Sequence, residues 1–133
     1  MPDLYTHAFS DNTRLAKGKT MIAPADGTWN LVALPRFTFV KTVWLWVVSA
    51  YAGGAPVVTI GFIGNGEVAD VDAFMTNVET DPTFVGMKNS LHGTGAWADG
   101  KYFDAASGAI TLTTTKGTTA GNLIMFVDYA VIC

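Results

Sequence analysis

The stretch FTFVKTVWLWVVSAY, Phe37 to Tyr51, limits the fold more than any other part of the chain. From Val43 to Val48 both its odd and its even positions are apolar. β-Branched and aromatic residues dominate it; they lose rotamer freedom in a helix and pack well on a pleated sheet. The apolar run also falls short of the about 20 residues that a membrane-spanning helix needs. It therefore predicts a central β-strand that is dry on both faces, at least in its middle. One face belongs against an opposing sheet. The other needs a crossing loop or another subunit.

The remaining segments read the same way. Residues 20–23 (TMIA) stop at Pro24, Asp26-Gly27 marks a turn, and WNLVAL ends at Pro35, a residue suited to a strand edge. AGGAP turns the chain into VVTIGFIG, where Gly61 predicts a bulge or a close backbone approach. Val68, Val71 and Met75 stand at helical spacing, so a short helix is expected over about 68–75, capped by Asn65 or Asp70. A short strand is expected within 83–88. KYFDA and AITLTTT form a hairpin, in which Thr111, Thr113 and Thr115 share a face expected to be solvated. NLIMFVDYAVIC closes the chain, with Leu123, Met125, Val127, Tyr129 and Val131 on one apolar face.

Seven or eight such segments with almost no helix predict an all-β protein: a single-domain antiparallel β-sandwich, jelly-roll-like, with one short helix. The sandwich is assigned to residues 20–133. Residues 1–19 lack periodicity and are expected to form an extended arm anchored by Leu4, Tyr5 and Phe9.

Composition narrows the function. Only 14% of the 133 residues are charged, against about 25% in an average soluble domain. A surface this poor in charge is expected to be partly covered by other protein. The net charge is −3, and the densest basic cluster is the loose RLAKGK of Arg14 to Lys19, which excludes a phosphate-tracking surface and hence a nucleic-acid partner. No membrane partner is expected. Cys133 is the single cysteine, so no intramolecular disulfide can form, and synthesis in a reducing compartment follows.

No catalytic residues, metal ligands or cofactor-binding residues are assigned. His7 and His92 stand far apart, outside any zinc-binding spacing. A nucleophile pair of a histidine with the terminal Cys133 would lack rigid support. Glu67, Asp70 and Asp72 lie close together, but without the spacing of a calcium loop; an acidic helix start explains them. Trp29 and Trp97, the latter two residues before Asp99, are candidates for a rim that grips a sugar ring. The competing reading is that these tryptophans close the ends of the sandwich.

Three segments carry a resemblance: KTVWLWVVSAYAGGAPVVTIGF, then DVDAFM, then GKYFDAASGAITLTTTKGTTAGNLIMFVDYAVI. Together they span about Lys41 to Ile132 and resemble small virion proteins of tailed bacteriophages. The resemblance implies a non-enzymatic decoration (cement) protein or another minor head or tail part. It implies a location on the capsid surface after synthesis in the host cytoplasm. The implied partners are the major capsid protein and sister copies, a trimer being the ring that suits a shell's local three-fold points. The arm residues Leu4, Tyr5 and Phe9 would then contact capsid subunits or a sister copy. A glycan-binding module built on Trp29, Trp97 and Asp99 is the alternative.

Overall fold

The structure is a computed structural model that describes residues 13–115 and 118–132. The strands are β1 (Thr13–Lys17), β2 (Met21–Ile22), β3 (Gly27–Ala33), β4 (Thr38–Gly53), β5 (Val57–Ile63), β6 (Asp70–Met75), β7 (Gly86–Asn89), β8 (Lys101–Phe103), β9 (Ala109–Thr115) and β10 (Thr118–Val131). One helix, α1 (Asn77–Thr80), lies between β6 and β7. It is too short to cross a membrane.

Two antiparallel sheets face each other. The larger runs β1-β10-β4-β7, with β2 also on β10 and β8 also on β4; the smaller runs β3-β9-β5-β6. The pairs nest in chain order: β2 with β10, β3 with β9, β4 with β8, β5 with β6. Such nesting is what a long hairpin gives when it wraps around a core, and it is the jelly-roll arrangement.

The core lies between the sheets. Val43, Leu45 and Val47 of β4 and Leu123, Met125 and Val127 of β10 are fully buried, facing Val58 and Ile60 of β5 and Ile110 and Leu112 of β9. The two long strands do not alternate without interruption. Val40 pairs with Tyr129 and Thr42 with Asp128, so Lys41 is an extra residue. This bulge switches the inward positions of β4 from Thr38 and Val40 to Val43, Leu45 and Val47.

Four expectations change. The first is the helix over 68–75: Asp70–Met75 form β6, and the helix begins after it. Val68 and Val71 are exposed, so the stripe that suggested a helix is not a buried face. Backbone pairing with β5 overrode a weak helical period. The second is the solvated threonine face: Thr111 is fully buried. It pairs with Gly61, at the point where the backbone of Asp70 and Val71 crosses the smaller sheet. The third concerns the outer face of β4, where a crossing loop was one of the two covers expected. Trp44 is half-buried, whereas Trp46 and Val48 are 39% and 37% exposed, so no described residue covers that face fully. The fourth is the hairpin of KYFDA with AITLTTT: β8 pairs with β4 in the larger sheet, whereas β9 pairs with β3 and β5 in the smaller. Thr13–Lys17, inside the stretch assigned to an extended arm, pair along β10; residues 1–12 lie outside the described residues.

Candidate interaction surface

Each candidate residue has a definite place, and the structure does not gather them into one rim. Trp29 sits on β3, with the ammonium of Lys19 4.9 Å from its ring centre. Trp97 lies in the loop before β8, its backbone N–H donating to Ala73 O of β6 at 2.7 Å. β3 and β6 are opposite edges of the smaller sheet, so the two tryptophans stand at its two ends. One face of the Trp97 ring is taken by the Lys101 ammonium, 4.1 Å from its centre. Asp99 Oδ1 accepts the backbone N–H of His92 at 2.9 Å, and the His92 Nδ1 is 3.8 Å away; both side chains are exposed. Leu4, Tyr5 and Phe9 lie outside the described residues. Among the described residues no group of three or more His, Cys, Asp or Glu side chains could hold a metal ion.

Lys101 is a feature that composition could not reveal. It is 4% exposed, yet its Nζ lies 2.9 Å from Glu67 Oε2 and 4.8 Å from the ring centre of Phe62. The ammonium is thus held between a carboxylate and aromatic faces. It ties the turn at 64–67 to the loop before β8. Asn65 completes the tie, donating to Glu67 and accepting the Ala105 N–H at 3.0 Å.

The segment from α1 to β7 carries exposed apolar side chains. Thr76 caps α1: its Oγ1 accepts the Val78 N–H at 3.2 Å, and Glu79 Oε1 accepts the Thr76 N–H at 3.1 Å. The motif T-N-V-E, Thr76 to Glu79, is the sequence signal that locates this helix. The next turn is fixed from several sides. Asp81 Oδ1 accepts from Thr83 Oγ1 at 2.6 Å, Lys88 Nζ donates to Phe84 O at 2.8 Å, and Tyr51 N–H donates to Pro82 O at 2.8 Å. Thr80 Oγ1 also donates to Val58 O from a buried position. This rigid support holds out Val78, Phe84 and Val85, 70%, 66% and 64% exposed. Apolar side chains displayed at low ordering cost are what a protein contact uses.

Beside the tip, on the outer face of the larger sheet, lies a groove of ≈ 460 Å³ lined by Leu15, Trp44, Met87, Phe126 and Asp128. Its walls are predominantly apolar, and it is the place where the middle of the long strand stays uncovered.

Two carboxylates near these features are expected to make the fold acid-sensitive. Burial opposes ionisation of Glu79, but hydrogen bonds from Thr76 and Thr94 outweigh it and hold the carboxyl below its usual range. Hydrogen bonds from Lys101 and then Asn65 do the same for Glu67. A carboxyl lowered on folding contributes stability that is present above its unfolded pKa, about 4.3, and is lost as pH falls through the folded value. The expected result is a thermal midpoint that holds steady near neutrality and falls below about pH 4.5. Glu79→Gln should lower the midpoint at pH 7 and flatten the acid slope. Thermal melts across pH check it; parallel curves for the variant and the parent would contradict the assignment.

No family model matches the sequence, and no curated protein matches it. The fold does have counterparts among solved structures. A chain in the acidic stable capsid structure of Helicobacter pylori bacteriophage KHP30 superposes with a TM-score of 0.65 at 20% identity, covering 89% of this chain and 86% of that one. A chain in the capsid of Ralstonia phage GP4 gives 0.62 at 16% identity, over 91% and 85%. One in the cyanophage Pam1 capsid asymmetric unit gives 0.60 at 12% identity, over 91% and 86%. The chain is thus a jelly roll whose whole sandwich, rather than a fragment of it, recurs in the capsid structures of three phages.

Proposed function

We propose that this chain is a non-enzymatic virion structural protein of a tailed bacteriophage: a decoration protein that sits on the head shell and bridges coat subunits. One observation carries the reading. Chains from three phage capsid structures share the sandwich over most of both lengths. The surface is consistent with it. A shell protein needs presented apolar contacts rather than a pocket of converging ionisable groups, and Val78, Phe84 and Val85 are presented on a braced turn. The partner is the major capsid protein, and the free protein is a homotrimer, the closed ring that fits a local three-fold position. Assembly takes place in the reducing host cytoplasm, where a lone terminal cysteine stays a thiol.

The test uses undecorated capsids assembled from the coat protein of the same virus. Purified chain should co-sediment with them at saturating stoichiometry and raise their thermal disruption temperature. Light scattering on the free protein should give three times the chain mass. Capsids that sediment without the chain would remove the decoration role, and recovery of the chain on isolated tails would move it to another virion part.

A further inference from the structure

The turn after β5 and the start of β8 bring three reactive side chains together. Glu67 N–H donates to Gly64 O at 3.2 Å. Between them, Asn65 and Gly66 have φ of 61° and 69°, the two left-handed residues of a tight turn. Within that turn the Asn65 amide Nδ2 donates to Glu67 Oε2. Lys101 enters from the larger sheet, where β8 pairs with β4. Its Nζ lies 3.0 Å from Glu67 Oε1 and 2.9 Å from Oε2. Oε2 therefore faces both nitrogens, and two such contacts to one oxygen keep the nitrogens within about 6 Å of each other.

The amide is oriented from its far side. Its Oδ1 accepts the Ala105 N–H at 3.0 Å, while its Nδ2 faces the carboxylate. A backbone N–H on a carbonyl oxygen is the donor that a negative charge developing there requires. The rings of Trp97, Phe62 and Phe103 surround Nζ, with centres 4.1, 4.8 and 5.5 Å away, and Lys101 is 4% exposed. Water is thus largely kept from the amine. The Glu67 side chain, 40% exposed, leaves the site open to solvent on the other side. An ion pair alone accounts for Lys101 and Glu67. It does not account for an amide on the same carboxylate whose carbonyl is polarised by a separate donor.

We infer that Lys101 and Asn65 become joined by an intramolecular isopeptide bond, with Glu67 moving the protons. Glu67 takes one proton from the Lys101 ammonium. The free amine attacks Cγ of Asn65, and the charge that develops on Oδ1 is held by the Ala105 N–H. Glu67 then delivers its proton to Nδ2 and accepts another from Nζ. The Cγ–Nδ2 bond breaks and the new Nζ–Cγ amide remains. The leaving ammonia takes the last proton from Glu67 and departs as ammonium. An ammonium and a primary amide thus become a secondary amide and an ammonium, with nothing oxidised or reduced. Hydrogen bonds hold Glu67 ionised at rest, so the reactive neutral pair is a minor form and the bond forms slowly after folding. It ties the turn between β5 and β6 in the smaller sheet to β8 in the larger, a covalent link across the sandwich. The inference concerns the folded chain and does not depend on the capsid reading.

Mass spectrometry tests it. The purified full chain, held for several days near neutral pH, should become lighter by one ammonia. Proteolysis should then release a branched peptide that joins the segment of Asn65 to that of Lys101. This peptide is read on the parent itself, so the test does not depend on how a variant folds. Closure of Asn65 onto the Gly66 nitrogen loses the same mass, so Lys101→Arg is read beside the parent. It keeps the cation but offers no lysine amine to acylate. It should keep its full mass and melt several degrees below the matured parent. Glu67→Gln should form the branch at least about 100-fold more slowly. A parent of full mass without the branched peptide would overturn the inference, as would equal ammonia loss in Lys101→Arg. An undiminished rate in Glu67→Gln would overturn the proton transfers assigned to Glu67.

Discussion

Gly61→Ala is expected to abolish the stable fold. A Cβ at this position would stand 1.8 Å from Asp70 O and 2.5 Å from the carbonyl carbon of Val71. Both are backbone atoms, so no side-chain rotation relieves the overlap. Either β5 bends away or β6 leaves the sheet. β6 has little to spare, because its recorded pairs with β5 are Ile60 with Met75 and Phe62 with Asp70, around the irregularity at Gly61. If it moves, Ala73, Phe74 and Met75, all fully buried, lose their place. Overpacking alone costs about 1–3 kcal/mol, and loss of a buried phenylalanine about 3–5 kcal/mol. The sum reaches the total stability of many domains, about 5–15 kcal/mol.

The matched control is Gly66→Ala. Gly66 has a φ of 69° but nothing within 4 Å of its would-be Cβ. That substitution meets only the backbone cost of a left-handed residue, about 1–2 kcal/mol. Urea unfolding followed by tryptophan fluorescence separates the two. Gly66→Ala should show a modestly lowered midpoint with an unchanged slope. Gly61→Ala should be insoluble or lack a cooperative transition. A Gly61→Ala protein within about 1 kcal/mol of the parent would mean that β5 and β6 do not approach this closely.

Gly61 also shows which parts of the fold were legible. A glycine within a strand pattern announces a bulge or a close approach, because few other roles need a missing Cβ there. The neighbouring apolar runs of β4 and β10 were legible because β-branched and aromatic residues crowd strands of 16 and 14 residues, a composition that suits a sheet better than a helix. The helix was misplaced because Val68, Val71 and Met75 imitate a helical period, whereas Thr76 and Glu79 carry the capping signal one element later. Local pattern cannot weigh a strand partner that arrives from elsewhere in the chain.

The surfaces were less legible than the core. Trp44 and Trp46 were visible as apolar positions on the second face of β4, but whether anything covers them depends on which strands flank it and what crosses it. The Lys101 tie needed Glu67, Trp97 and Phe62 to converge from three separate segments. Val78 carried no signal and Phe84 and Val85 fell within the short strand expected over 83–88; that they are displayed on a turn became visible only with the bonds of Asp81, Lys88 and Tyr51 that brace it. Exposure of single apolar residues is common on any protein surface. A rigid mount for three of them together is what sets this turn apart.

That mount leads to the second large effect. Under the proposed decoration role, replacing both Phe84 and Val85 by Asp is expected to abolish capsid binding while leaving the fold intact. The two side chains are 66% and 64% exposed, so their loss removes little core packing, and surface changes of this kind usually stay within about 0.5 kcal/mol. The carbonyl of Phe84 keeps its bond from Lys88, since the backbone is unaltered. Binding is another matter. Apolar anchors at the centre of a contact contribute at least about 2 kcal/mol each, and a buried unpaired carboxylate adds a further cost. A weakening of at least about 100-fold, or 2.7 kcal/mol, is therefore expected. Val68→Asp is the control, with the same chemistry at a 90% exposed site on the turn before β6. Co-sedimentation with undecorated capsids, read beside the thermal midpoint of each free protein, decides between the alternatives. Full binding by the double variant would place the capsid contact on a different face. Loss of binding by the control alone would place it at the turn that Lys101 holds, and loss by the double variant alone assigns it to the braced tip.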